Sequence, residues 1–215
     1  RGDFRYEDLT IGGFAGWFSD GGGWGVAQLS WSQLDFDSHR RVQLGQGVRS
    51  HRGPTDGESL TLATHVGWDF QRGTLRHGPV LGLVFQQVDM DGFAESDPTL
   101  STSLAYPDQD FDSLIASVGW QFAVTGDGAM RPYARFTWDN ELEDAPEEAF
   151  AIAQTMASSG AYAVPTYGHD DSYGTVTLGA RTALFGLDAN FGISGTVGHD
   201  GGGNTAVFLS LGRGF

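Results

Sequence analysis

Apolar and polar residues alternate with a period of two through most of this 215-residue chain, in runs far longer than ordinary strands. The clearest run sets Leu60, Leu62, Thr64, Val66, Trp68 and Phe70 against Ser59, Thr61, Ala63, His65, Gly67 and Asp69. A second sets Leu114, Ala116, Val118, Trp120 and Phe122 against Ser113, Ile115, Ser117, Gly119 and Gln121, and a third occupies 132–139. Similar runs cover 9–18, 24–35, 79–88, 174–184, 187–198 and 205–215, so the spacing predicts nine strands. Most have ten or more residues, where strands of globular proteins average about five or six. Helical bundles are excluded by 33 glycines, about twice the ordinary frequency of roughly 7%, since each glycine inside a helix costs roughly 1 kcal/mol. No apolar run is long enough for a transmembrane helix or signal peptide.

Soluble sandwiches also alternate, so the content of the two faces decides. One face is small and polar, carrying His65, Asp69, Arg135, Asp139, Arg181, Asp188 and Asn190, while the other is nearly free of charge. Apolar outside and polar inside, at about ten residues per strand, is the pattern of a transmembrane β-barrel. Trp17, Trp24, Trp68, Trp120 and Phe122 sit at strand ends, where an aromatic girdle is expected at the membrane interface. The expected links alternate in length, except that the last outer one, 199–204, is short. Residues 19–23, 72–77, 125–129 and 185–186 form short ones; 36–57, 91–110 and 141–171 form long ones. The fold expected is therefore an all-β, antiparallel transmembrane barrel in the outer membrane of a Gram-negative bacterium. A closed bacterial barrel has an even strand number. Nine strands lead to the expectation that 1–215 is the C-terminal part of a larger barrel.

Net charge is −15, and all 12 bases are arginine. Nothing neutralises phosphates in bulk, so no nucleic-acid partner is expected. The absence of cysteine removes thiolate nucleophiles and thiolate metal sites. No G-x-S-x-G elbow occurs, and no catalytic residue, metal site or cofactor is expected. His169, Asp170, Asp171, His199 and Asp200 would lie at the outer rim, where a barrel protease would carry Asp–Asp and Asp–His pairs; solvated loop acids are the plainer reading. Asp89, Asp91, Glu95, Asp97, Asp108, Asp110 and Asp112 load one outer loop with charge, and Glu141, Glu143, Asp144, Glu147 and Glu148 the next. The first outer loop is basic, through His39, Arg40, Arg41, Arg49, His51 and Arg52. Contact with lipopolysaccharide phosphates, directly or through bridging cations, docking to another part of the polypeptide, and simple solvation all fit these loops. In the lumen, His65, Asp69, Arg135, Asp139 and Arg181 are expected to pair with one another, because unpaired buried charges are costly.

Several stretches resemble the translocator β-barrels of autotransporters (type V secretion), most of all those of esterase or lipase autotransporters with a GDSL-type passenger. They are Arg40-Arg41-Val42-Gln43-Leu44-Gly45, Gly57-Glu58-Ser59, His77-Gly78-Pro79-Val80-Leu81-Gly82-Leu83, Val88-Asp89-Met90-Asp91-Gly92-Phe93-Ala94-Glu95, Asp112-Ser113-Leu114 and Met130-Arg131-Pro132-Tyr133-Ala134-Arg135. The resemblance implies a twelve-stranded barrel, and a linker helix through the lumen leading to an exported passenger that would hold any esterase serine. It also implies recognition of the last strand by the barrel-assembly machinery through Leu209, Leu211 and Phe215, with Arg213 departing from the usual aromatic. The alternative is a stand-alone small porin or adhesin-type barrel. Expected partners are outer-membrane lipid and lipopolysaccharide, the assembly machinery, and the chain's own passenger and linker helix.

Overall fold

The computed structural model describes residues 2–143, 148–165, 171–199 and 203–212. Its strands are β1 (Asp3–Phe18), β2 (Gly23–Leu44), β3 (Gly47–Trp68), β4 (Phe70–Arg72), β5 (Leu75–Met90), β6 (Phe93–Ala94), β7 (Leu104–Tyr106) and β8 (Gln109–Val124). They continue with β9 (Met130–Glu141), β10 (Glu148–Ala153), β11 (Tyr162–Pro165), β12 (Ser172–Leu184), β13 (Leu187–Val197) and β14 (Thr205–Gly212). A short 3-10 helix, Gln154–Ser159, follows β10. Nine long strands form one antiparallel meander in the order β1-β2-β3-β5-β8-β9-β12-β13-β14, with β4 continuing β3 beyond a break at Asp69.

The register sorts side chains onto two faces. One face aligns Leu29, Leu62, Phe85 and Leu114 in a single cross-strand row. Val66, Leu81, Val118 and Trp138 make another, and Ala134, Leu178, Ile193 and Val207 a third. Most of these side chains are exposed. The opposite face aligns Gln121, Arg135, Thr177 and Ser194. From Leu60 to Trp68 the apolar face runs for about 26 Å along the strand, the scale of the roughly 25 Å apolar band of outer-membrane barrels.

Curling of the sheet is required by one contact. Trp24 on β2 and Arg135 on β9 are four strand steps apart, about 19 Å on a flat sheet. The Arg135 guanidinium carbon nevertheless stands 6.0 Å from the centre of the Trp24 ring. The polar face is therefore concave. Total accessible surface is 14387 Å², against about 9,600 Å² for a compact globule of this mass. Leu34, Val80, Ala151, Ala180 and Ala189 are the buried apolar residues among those described. A soluble domain could not tolerate that exposure.

Concavity also explains part of the glycine excess. Side chains crowd on the inner face, and rings lie flat only where their neighbour has none. A Cβ at Gly179 would meet Cζ of Tyr133 at 2.4 Å, and one at Gly67 would meet Cζ2 of Trp24 at 2.5 Å.

The short turns fall close to the sequence expectation. The long links do not. Residues 36–57, expected as a loop, continue β2 and β3 as a hairpin closed by a two-residue turn at 45–46, with Gly45 at φ +61°. The expected loops 91–110 and 141–171 pair into a second, four-stranded sheet, β11-β10-β7-β6.

Gly179→Val should lower barrel stability by about 1–3 kcal/mol through overpacking against Tyr133, read as the urea midpoint in detergent. Gly174→Ala on the apolar face, whose added Cβ would find its nearest neighbour at 3.5 Å, should leave the midpoint in place.

Candidate functional site

Two places concentrate charge: the concave face near the short turns, and the junction of the three long links. On the concave face, Asp69 is held by both its neighbours. Arg76 Nε stands 3.4 Å from its Oδ2, and Gln121 donates to its Oδ1 at 2.9 Å. Arg135 Nη2 donates to Gln121 Oε1 at 3.0 Å. Arg181 lies over the Tyr133 ring at 5.4 Å, and the Tyr133 hydroxyl donates to Asn190 at 2.8 Å. Asp139, 6% exposed, accepts from the hydroxyls of Thr175 at 2.5 Å and Thr137 at 3.2 Å. His65 faces Gly82, where an added Cβ would meet its Cδ2 at 3.0 Å.

Mutual pairing of His65, Asp69, Arg135, Asp139 and Arg181 is therefore not what forms. Asp69 reaches Arg135 only through Gln121, Asp139 is satisfied by hydroxyls, and among the described residues neither Arg135 nor Arg181 meets a carboxylate. Sequence reasoning missed Arg76, Gln121 and Tyr133. For Gln121 and Tyr133 the signal was phase, since each falls on the polar face of its run; Arg76 fell in the expected short link 72–77, outside any run.

The girdle also changes. Trp17, Trp68, Trp120 and Phe122 lie on the apolar face. Trp24 does not. The 19–22 turn pairs Phe18 with Trp24 and Trp17 with Gly25, which puts Trp24 on the concave face. Trp31 joins the apolar face instead, its indole N–H donating to Glu58 at 3.3 Å. Leu209 and Leu211 are exposed on the apolar face of β14, while Arg213 and Phe215 lie outside the described residues.

At the long-loop end, the basic and acidic loops meet each other. Arg40 clamps Glu95 with Nε to Oε1 at 2.7 Å and Nη2 to Oε2 at 2.5 Å, and Nη2 also donates to the Thr102 carbonyl at 2.6 Å. His51 is buried at 1% exposure. Its Nδ1 donates to the Ser96 carbonyl at 3.2 Å, and its Nε2 shares a hydrogen bond with the Thr102 hydroxyl at 2.8 Å. Gln154 adds bonds to the Glu95 carbonyl at 2.7 Å and the Ser103 hydroxyl at 2.8 Å. Arg52 closes on Asp37 within the hairpin. Glu95 is thus no solvated loop acid. Burial opposes its ionisation, but the hydrogen bonds from Arg40 and the Leu104 amide outweigh that and hold its carboxyl below the usual glutamate range.

His199 stands against Tyr173, with ring centres 5.1 Å apart. His169, Asp170 and Asp200 lie outside the described residues, as do Asp144 and Glu147 and the side chain of Glu148. Among the described residues no group of His, Asp and Glu is placed to hold a metal ion.

A curled antiparallel sheet with an apolar convex face and a polar concave one is the wall of a transmembrane β-barrel. Residues 1–201 match the Autotransporter beta-domain family, and the chain belongs to it. It is 24% identical over 186 residues to Esterase EstA of Pseudomonas aeruginosa, a match covering 85% of this chain and 28% of that protein. Esterase EstA of Pseudomonas putida matches equally, so the chain spans about a quarter of the length of these curated relatives. The solved translocator domain of autotransporter NalP from Neisseria meningitidis superposes with a TM-score of 0.72 at 15% identity, over 99% of this chain and 68% of that one. That likeness bears on fold.

Because the Glu95 pKa is lower in the folded than in the unfolded chain, its contribution is complete above the ordinary glutamate range. It is lost as pH falls through the depressed value. Arg40→Ala, which strands the buried carboxylate, should cost about 2 kcal/mol of local stability. The measurement is proteinase K cleavage within 91–108 on intact cells, accelerated at neutral pH in the variant and in wild type only on acidification.

Proposed function

We propose that this β-domain anchors a longer polypeptide in the outer membrane of a Gram-negative bacterium and carries an N-terminal passenger to the cell surface. The observation that supports this best is the opposed pair of faces: lipid can wet the convex one, and a polar chain can pass along the concave one. The passenger is proposed to be an esterase, since EstA is the name of the relatives matched. Bond chemistry would reside there, and this chain would act as conduit and scaffold.

Within the described residues β1 and β14 each pair on one side only. Bare strand edges in lipid cost several kcal/mol per unpaired group. We therefore read 1–215 as the C-terminal part of a twelve-stranded barrel, whose three further strands pair both edges. A linker helix would run through the lumen beside Arg135 and Arg181. The barrel-assembly machinery would read Leu209, Leu211 and Phe215, and the outer rim would meet lipopolysaccharide.

In cells producing the whole polypeptide, an epitope placed in the proposed passenger, ahead of the linker helix, should be cleaved by protease added outside, and an impermeant ester should be hydrolysed at the surface. Removing 205–215 should abolish both while the polypeptide is still made. An epitope that stays protected in intact cells producing a folded barrel would contradict translocation.

A further inference from the structure

On the concave face the fold leaves a cavity of about 300 Å³ whose lining includes Asp69, Arg76, Gln121, Tyr133, Arg135 and Arg181. Its three arginines face a single carboxylate, and that carboxylate is already taken by Arg76. Arg135 and Arg181 remain. Each lies against an aromatic face, Trp24 and Tyr133, which holds the guanidinium in place without cancelling its charge. Beside Arg135, the Trp24 indole N–H is buried with no acceptor among the described residues. Thr177 and Asn190 add polar atoms to the same wall. In a chain of net charge −15, this is a local excess of positive charge with donor groups unspent.

We propose, resting on the reading of the concave face as a barrel lumen, that this cavity beside the path of the proposed linker helix is an anion-binding site, built for a small oxyanion such as a carboxylate or phosphate, and that it makes the lumen anion-selective against the sign of the whole chain. Guanidinium groups present planar forks of N–H donors that match oxyanions. Rings of arginine in a pore favour anions in the same way. Gln121 and Asp69 serve as positioning residues: the first ties Arg135 to the wall, and the second withdraws Arg76 from the site.

The test uses the arrangement of tryptophans. Trp17, Trp31, Trp68, Trp120 and Trp138 all lie on the convex face, and Trp24 alone on the concave one. In lipid vesicles carrying the full-length protein, the difference between wild type and Trp24→Phe isolates the lumen signal. Iodide should quench that signal several-fold more efficiently than caesium, and inorganic phosphate should relieve the iodide effect in a saturable way. The double variant Arg135→Gln/Arg181→Gln should lose the iodide preference while neutral acrylamide quenches as before; Arg135→Lys/Arg181→Lys should keep it. Equal or better quenching by caesium, or an iodide preference that survives both glutamines, would overturn the proposal while leaving the lumen in place; no access for any quencher, acrylamide included, would overturn the water-filled lumen and the proposal with it. As a second reading, the reversal potential of planar bilayers in a potassium chloride gradient should have the sign of chloride permeation. Cation preference there would also overturn it.

Discussion

Backbone amides and carbonyls find no water in the hydrocarbon of a membrane, and every one left unpaired costs several kcal/mol. An antiparallel meander with tight turns answers this constraint strand by strand, and the rest of the molecule follows from it. Each strand must be long enough to cross, so sixteen- to twenty-two-residue strands appear at β1, β2, β3, β5 and β8. Each must carry apolar side chains outward at every second position, which leaves only the alternate positions for polarity. The chain's chemistry is thereby confined to one face of the wall and to the parts beyond the membrane.

The charge map shows where the membrane ends. Above the apolar band, Glu58, Asp89 and Asp110 stand in one cross-strand row on the convex face. Like charges directly opposite one another destabilise a sheet even in water; in lipid they could not stand at all. The same row begins the region in which β2 and β3 outrun β5, and β3 finds new partners. The Ser96 amide donates to the Arg52 carbonyl and the Asp91 amide to the Asp56 carbonyl, each at a length of a normal hydrogen bond. The Arg40–Glu95 clamp and buried His51 then fasten the small sheet to the hairpin. Among the described residues, the links from 36 to 57 and from 91 to 110 form a folded cap at this end.

How much of this could be read from the residues differs by region. Period-two alternation fixes the face of a side chain with no knowledge of its neighbours, which is why nine strands and the short turns were legible. Phase across a turn is not local: Trp24 changes face because the 19–22 turn pairs it with Phe18. Partner choice is even less so. Asp69 and Arg76 lie on neighbouring segments joined by a tight turn, while Asp69 and Gln121 stand two strands apart on either side of Gly78, which has no side chain to separate them, and such register leaves no mark at spacing level. The hairpin beyond residue 36 escaped notice because it alternates among polar residues, carrying Asp37, His39, Arg41 and Gln43 on one face. Glu95 looked like one acid among many, and only its meeting with Arg40, fifty-five residues away, sets it apart.

The opposed faces of the wall can be tested directly because the chain contains no cysteine. Single cysteines at each position from Ser59 to Trp68 on β3, spin-labelled in lipid vesicles, would report the accessibility of each site to oxygen dissolved in lipid and to a water-soluble nickel complex. The expected result is a period of two with opposite phases: oxygen highest at Leu60, Leu62, Thr64, Val66 and Trp68, nickel highest at Ser59, Thr61, Ala63, His65 and Gly67. Equal accessibility along the strand, or nickel reaching the first set as readily as the second, would contradict a membrane-spanning wall with a polar lumen.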